Sequence, residues 1–173
     1  DAHHVGKEVY AVKVLPNMVI TGGCDGRLAV LSWNGENVEF LRYIGEDPPS
    51  TFEKFDTPME NPLHITPLDS DGEVVLVATS KCLKVWNIEN DTLVNTIDTD
   101  WTNSLALSYP FGVIAQNNKG LTVLNLETGR IVRKVRTNLF WQVAHYGPLL
   151  VGSTPTLPWE AYNRQSVTVH SFA

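Results

Sequence analysis

The chain has 173 residues, of which 43% are hydrophobic and 18% charged, and its formal net charge is −6. This length and composition indicate one globular domain with a sizeable core and exclude a disordered chain. The negative charge, without a basic stripe, argues against nucleic acid as the main partner, because proteins that bind it need clustered Lys and Arg. Apolar runs fall short of the roughly 18–20 residues that a membrane span requires, so we expect none.

Residues 9–44 predict four short strands joined by tight turns. The strands are 9–15, 19–22, 27–33 and 38–44. The dipeptides between them favour turns and hairpins. They are Pro16-Asn17, Asp25-Gly26 and Asn34-Gly35. Such a series predicts an antiparallel meander of four strands.

Residues 62–97 and 104–135 repeat this organisation. The second repeat predicts strands over 62–66, 74–79, 82–88 and 92–97, with a turn over 69–72. The third repeat predicts strands over 104–108, 112–116, 121–126 and 131–135. Strand 74–79 is an almost continuous apolar run, which indicates burial on both of its faces.

The fourth repeat, 140–173, predicts three strands and no fourth strand after Phe172. The three strands are 141–145, 149–153 and 167–172. Two longer segments interrupt the repeats. Residues 45–61 join the first repeat to the second, and residues 154–165 separate the last two predicted strands. Connections of this length tend to be functional or mobile.

Each predicted third strand alternates between two faces. Leu83 and Val85 point to one face, whereas Lys84 and Trp86 point to the other. The same register recurs at intervals close to the roughly 40–45 residues of a propeller blade. Its equivalent positions are Leu28, Leu83, Leu121 and Val167, followed by Val30, Val85, Val123 and Val169. The sequence therefore predicts an all-β fold, a single partial β-propeller over residues 1–173 whose blades are four-stranded antiparallel meanders.

Three stretches resemble WD40 repeats. Residues 25–31 (DGRLAVL), 83–88 (LKVWNI) and 121–129 (LTVLNLETG) fit the family's line D-G-x-ϕ-x-ϕ-W-D-ϕ-x-T-G, in which ϕ is apolar. The resemblance is degenerate, because the chain has no Gly-His dipeptide and Trp86-Asn87 is its one near match to Trp-Asp. It implies WD40-like blades in an incomplete ring of about four, fewer than this family usually closes.

A propeller blade exposes apolar faces to both of its neighbours and is not stable alone. We therefore expect other blades to complete the ring, in cis from the same polypeptide or in trans from a second polypeptide or a second copy of the chain. The alternative is a compact ring of four blades that residues 1–6 help to close.

Both long segments are expected on one face of the disc, since connections from fourth to first strands and from second to third strands lie together. Large aromatic side chains on such a face suit protein recognition. The candidate protein-binding residues are Phe52, Phe55, Trp101, Phe140, Trp141, Trp159 and Tyr162. The alternative for any one ring is that it folds back and covers a small core within its own insertion.

The WD40 resemblance implies a non-enzymatic scaffold that binds another protein or peptide within a larger complex. The net charge of −6 permits a basic partner. The sequence predicts no catalytic residue, cofactor or metal site. The alternative is a quinoprotein-like propeller oxidoreductase, because residues 124–132 also resemble a repeat line of pyrroloquinoline quinone enzymes.

The chain contains two cysteines, Cys24 and Cys82, too few for a disulfide framework. We expect free thiols in a reducing compartment, so the predicted location is intracellular, in the cytoplasm or nucleus. One disulfide between neighbouring blades is the alternative.

Overall fold

The computed structural model describes residues 9–23, 26–45, 67–116, 119–135, 142–146, 149–155 and 165–171, with the backbone alone at 142, 145–146, 149–155 and 165–171. These residues form an all-β structure of four antiparallel sheets in chain order. Within each sheet, strands that are consecutive in the chain pair with each other. The predicted all-β architecture of blade-like meanders is therefore confirmed.

The strand bounds follow the predicted repeats closely. The first sheet contains β1 (Val9–Val14), β2 (Met18–Gly23), β3 (Leu28–Trp33) and β4 (Val38–Ile44). The second contains β5 (Leu68–Ser70), β6 (Val74–Ala78), β7 (Cys82–Asn87) and β8 (Thr92–Asp98). The third contains β9 (Thr102–Ser108), β10 (Phe111–Gln116), β11 (Gly120–Asn125) and β12 (Ile131–Val135). The described part of the fourth contains β13 (Gln142–Tyr146), β14 (Leu149–Pro155) and β15 (Gln165–Ser171).

The prediction of a turn over residues 69–72 is wrong at its start, because Asp69 and Ser70 belong to β5. Neighbouring sheets satisfy the Asp69 carboxylate within this strand. Lys13 on β1 places its Nζ 2.6 Å from Asp69 Oδ1. The backbone N–H of Leu107 on β9 donates to Asp69 Oδ2 at 2.8 Å. Asp69 thereby connects three sheets. The predicted strand 62–66 lies outside the described residues.

The bounds of the second insertion, predicted as 154–165, are also too wide. Thr154 and Pro155 extend β14, and Gln165 begins β15. Pro155 pairs with Gln165 at the end of this two-strand ladder. The backbone pairing thus continues past the point where the apolar alternation of the sequence ends.

Apolar clusters fill the spaces between consecutive sheets. The cluster between the first and second sheets includes Ile20, Val30, Val75 and Ile88. The next includes Leu76, Leu83, Val85, Ile114 and Leu126. The cluster between the third and fourth sheets includes Val113, Leu121, Val123 and Val143. Every residue of β6 is buried, as its apolar run predicts, because a sheet covers each of its faces. In the described residues the four sheets form an open arc, with no closed ring.

In two sheets, a polar side chain on the fourth and outermost strand also donates a hydrogen bond to the sheet that follows. Arg42 on β4 donates from Nη2 to the backbone carbonyl of Ile88. Asn95 on β8 donates from Nδ2 to the carbonyls of Leu126 at 2.8 Å and Glu127 at 3.2 Å. The contact therefore recurs from the first sheet to the second and from the second to the third.

The outermost strands of the first three sheets share a β-bulge at one register position. The bulged residues are Leu41 in β4, Val94 in β8 and Val132 in β12. Each is exposed, follows another exposed apolar residue, and precedes the position held by Arg42 and Asn95. The resulting triplets are Phe40-Leu41-Arg42, Leu93-Val94-Asn95 and Ile131-Val132-Arg133.

Replacing Asn95 by alanine is expected to lower the free energy of unfolding by about 1 kcal/mol, because two carbonyls of the third sheet lose their donor. Asn95→Asp should cost more, since it turns a carboxylate oxygen toward those carbonyls. Denaturant unfolding of both variants measures this order. Thr96→Ala, at the exposed neighbouring position, is the control and should change stability by less than about 0.5 kcal/mol. Equal stability of Asn95→Asp and the parent chain would rule out the bridging role.

Candidate protein-binding face

The structure describes one of the seven candidate aromatic residues, Trp101. The other six, Phe52, Phe55, Phe140, Trp141, Trp159 and Tyr162, lie outside the described residues. Their grouping on one face with Trp101 therefore stays a prediction. Trp101 lies in the connection from β8 to β9, which joins the fourth strand of one sheet to the first strand of the next, and it is half-buried.

The connection that holds Trp101 is tied to the second sheet on one side. The backbone N–H of Thr99 donates to the carbonyl of Lys81 at 2.9 Å. Lys81 lies in the turn between β6 and β7, so this hydrogen bond links the connection to a turn between second and third strands. The two kinds of connection predicted to share a face do meet here.

A second contact comes from Gln116, the last residue of β10. Its side-chain Nε2 donates to Thr99 Oγ1 at 2.7 Å and to the Asp100 carbonyl at 3.3 Å. Gln116 is only 6% exposed, so its amide depends on these partners. Lys119 also forms an ion pair with Asp100, but both groups are exposed and the pair contributes little. The hydrogen bonds from the buried Gln116 amide are therefore the main contacts that fix the backbone of residues 99–100, next to Trp101; we call these contacts the clamp.

Gln116 was not among the residues predicted from the sequence, although a polar residue at the end of an apolar second strand could have pointed to it. Gln116 is the last residue of the second strand β10, Thr79 directly follows the second strand β6, and both are buried polar residues. Thr79 closes its own turn, where Oγ1 accepts from the N–H of Cys82 at 3.2 Å. The longer side chain of Gln116 reaches the neighbouring connection instead. In these two second strands, the buried polar residue at the end of the strand therefore lies on this face.

On the opposite face, the described turns between third and fourth strands are closed by their own asparagines. Asn34 Oδ1 accepts from the N–H of Asn37 at 2.7 Å. Asn87 Oδ1 accepts from the N–H of Asn90 at 3.1 Å, and Asn125 Oδ1 accepts from the N–H of Thr128 at 2.9 Å. These Asx turns satisfy local backbone donors and keep the connections between third and fourth strands short.

Tyr109 lies in the turn from β9 to β10, also on the opposite face, and is 36% exposed. Its hydroxyl donates to Glu127 Oε1 at 3.1 Å. Partial burial raises the pKa of the phenol, and the Glu127 carboxylate raises it further by favouring the protonated form. Tyr109 therefore stays neutral at physiological pH, an exposed aromatic side chain fixed by a hydrogen bond.

Cys82, at the start of β7, carries a free thiol whose Sγ lies 3.3 Å from Thr79 Oγ1. Cys24 lies outside the described residues. Among the residues that the structure describes, no three His, Cys, Asp or Glu side chains converge as metal ligands would. In that same part of the chain no helix has the length and apolar character needed to cross a bilayer.

The chain matches no protein-family model and no curated protein. Its backbone is similar to that of two computationally designed proteins with crystal structures. Ika4 has a TM-score of 0.69 and 16% identity, over 100% of this chain and 96% of Ika4. Ika8 has a TM-score of 0.67 and 17% identity, over 99% of this chain and 47% of Ika8. The chain thus spans about half the length of Ika8, and at these identities the likeness shows the fold alone.

Proposed function

We propose that the chain is a non-enzymatic scaffold of the WD40 type, which binds another protein or peptide through the face that carries Trp101. The observation that supports this most directly is the clamp on residues 99–100. Gln116 and Lys81 fix the backbone beside a half-buried indole. A large aromatic side chain held in this way loses little freedom on binding, which favours recognition.

The WD40 assignment is supported by the third strands and the turns that follow them. Asn87 and Asn125 occupy the place of the aspartate in the family's Trp-Asp pair, and each accepts a hydrogen bond from its own turn. Trp86 packs against the cluster between the first and second sheets. Partner blades and a protein ligand both fit such a scaffold, and the free thiol of Cys82 favours an intracellular location.

Site-specific photo-crosslinking tests the binding face. A benzophenone amino acid at position 101 keeps an aromatic group there, and in cell extract we expect it to form crosslinks to other proteins. The same group at position 109 is the matched control, because Tyr109 is an exposed aromatic on the opposite face. We expect at least about a tenfold excess of crosslinked protein at 101, because the partner covers that position and leaves position 109 in solvent.

Crosslinks of equal yield at both positions, or at 109 alone, would overturn the proposed face. A quinone absorption band in the purified protein would favour the oxidoreductase alternative over a scaffold. Both variants should unfold at the same denaturant concentration as the parent chain, which confirms that the probes report on a native surface.

A further inference from the structure

The turn from β3 to β4 contains Asn34-Gly35, the only Asn-Gly pair in the chain. All residues of this turn, 34–37, are exposed. Asn34 Oδ1 accepts hydrogen bonds from the backbone N–H of Glu36 at 3.0 Å and from that of Asn37 at 2.7 Å. These bonds hold the side-chain amide of Asn34 close to the backbone that follows it.

The backbone nitrogen of Gly35 is free in this turn. It donates no hydrogen bond to any residue that the structure describes. Gly35 has a φ of +93°, a conformation that favours glycine. Apart from its chain neighbours, no described residue has an atom within 4 Å of the position that a Cβ would occupy at Gly35. This nitrogen can therefore approach Cγ of Asn34 without breaking a hydrogen bond or meeting a side chain.

Asn87 and Asn125 also cap their turns with Oδ1, but the nitrogen that follows each of them is engaged. The N–H of Ile88 donates at 2.8 Å to the carbonyl of the residue before β6. The N–H of Leu126 donates at 2.8 Å to the carbonyl of the residue before β10. Both Ile88 and Leu126 are buried, so neither nitrogen can move toward the preceding amide.

The turn from β5 to β6 has the same cap with a carboxylate in place of the amide. Asp71 Oδ1 accepts from the N–H of Glu73 at 3.0 Å and from that of Val74 at 2.8 Å. Gly72 follows with a φ of +103°, but its N–H donates to Ser70 Oγ at 3.1 Å. A carboxylate is also a poorer electrophile than an amide. Of these four capped turns, Asn34 alone combines an amide with a free following nitrogen.

We propose that Asn34 is a site of spontaneous deamidation in the folded chain. The Gly35 nitrogen gives up its proton and forms a bond to Cγ of Asn34, the Cγ–Nδ2 bond breaks, and ammonia leaves with that proton. Water then opens the resulting succinimide ring, so the overall change consumes one water and releases one ammonia. The N–H groups of Glu36 and Asn37 stabilise the negative charge that develops on Oδ1 during the attack. This inference does not rest on the proposed protein-binding function.

Opening of the ring at its two carbonyls gives two products, and each adds a negative charge to the net charge of −6. Aspartate keeps an acceptor for the N–H groups of the turn, as Asp71 does in its own turn. Isoaspartate instead routes the backbone through the former side chain, which inserts a methylene into the connection between β3 and β4. We therefore expect the aspartate product to retain the hairpin and the isoaspartate product to weaken it.

Mass spectrometry of peptides from the full chain, incubated folded at neutral pH and body temperature, tests the proposal. We expect the peptide that contains Asn34 to gain the mass difference between a hydroxyl and an amino group at least about tenfold faster than those with Asn87 or Asn125. Gly35→Ala should slow this gain at least about fivefold, because its Cβ hinders the attack. Gly72→Ala, in the matching turn, is the control and should leave the rate at Asn34 unchanged.

Several outcomes would overturn the assignment. One is a chain that reacts at Asn34 only after unfolding in urea, since the folded turn would then protect the amide. Others are a rate at Asn34 no higher than at Asn87 and Asn125, or a rate that Gly35→Ala leaves unchanged in a variant with the unfolding midpoint of the parent chain. Incubation in heavy-oxygen water must also place the label in the new carboxylate, because water opens the ring. An unlabelled product would contradict the succinimide route.

Discussion

Replacing Leu76 by alanine is expected to lower the free energy of unfolding by about 3 kcal/mol. Leu76 is fully buried in β6, within the cluster between the second and third sheets. Truncation removes its apolar contacts and leaves a cavity between two sheets that cannot easily collapse. Urea unfolding measures the loss. Leu93→Ala in the same sheet is the control, because Leu93 is 45% exposed and its loss should be below about 1 kcal/mol.

Gly112 provides an independent check on this packing. A Cβ at Gly112 would lie 3.0 Å from Leu76 Cδ2 and 2.9 Å from Leu126 Cδ2, so Gly112→Ala should destabilise the parent chain. In the Leu76→Ala background one of these two close contacts is gone. We expect the double variant to lose about 1 kcal/mol less free energy of unfolding than the sum of the losses in the two single variants. Strict additivity would contradict the described contact between β6 and β10.

Replacing Asp69 by alanine is expected to lower the free energy of unfolding by about 2 kcal/mol. The main reason is the N–H of Leu107, which would lose its acceptor inside the contact between the second and third sheets. Lys13 contributes less, since its side chain is 36% exposed and can return to water. Thermal and denaturant unfolding of the variant measure the change.

Asp69→Asn separates the two contributions, because it retains a carbonyl oxygen for Leu107 and removes the charge that faces Lys13. We expect it to recover more than half of the stability that alanine loses. Lys13→Met is the matched control for the ion pair and should cost less than about 1 kcal/mol. A loss from Asp69→Asn as large as that from alanine would instead assign the stabilisation to the charge.

The strands could be predicted from the sequence wherever local periodicity and burial agree. Val74–Ala78 is apolar throughout and lies between two sheets, and Val38–Ile44 ends where its prediction ends. Asp69 could not be placed, because its local pattern is that of a turn. The partners that stabilise it in β5 are distant in the chain. Leu107 lies 38 residues after it, and Lys13 lies before it on β1. Local pattern carries no information on such pairs.

The candidate site was predictable only in part for the same reason. Trp101 stands out in the sequence as a large aromatic residue in a connection, and the structure places it there. Gln116 does not stand out, since its role depends on the distance from its amide to Thr99 in another connection. That distance is set by how two sheets pack, which alternation within one strand does not encode.

The bulges at Leu41, Val94 and Val132 have a consequence for solubility. Each lies in an outermost strand, next to further exposed apolar residues, where an unpaired strand edge would invite a strand from another molecule. A bulge twists the strand and interrupts the regular row of donors and acceptors that such addition requires. The bulges therefore lower the tendency of these three apolar strand edges to pair with a strand of another molecule, because none of the three edges is straight.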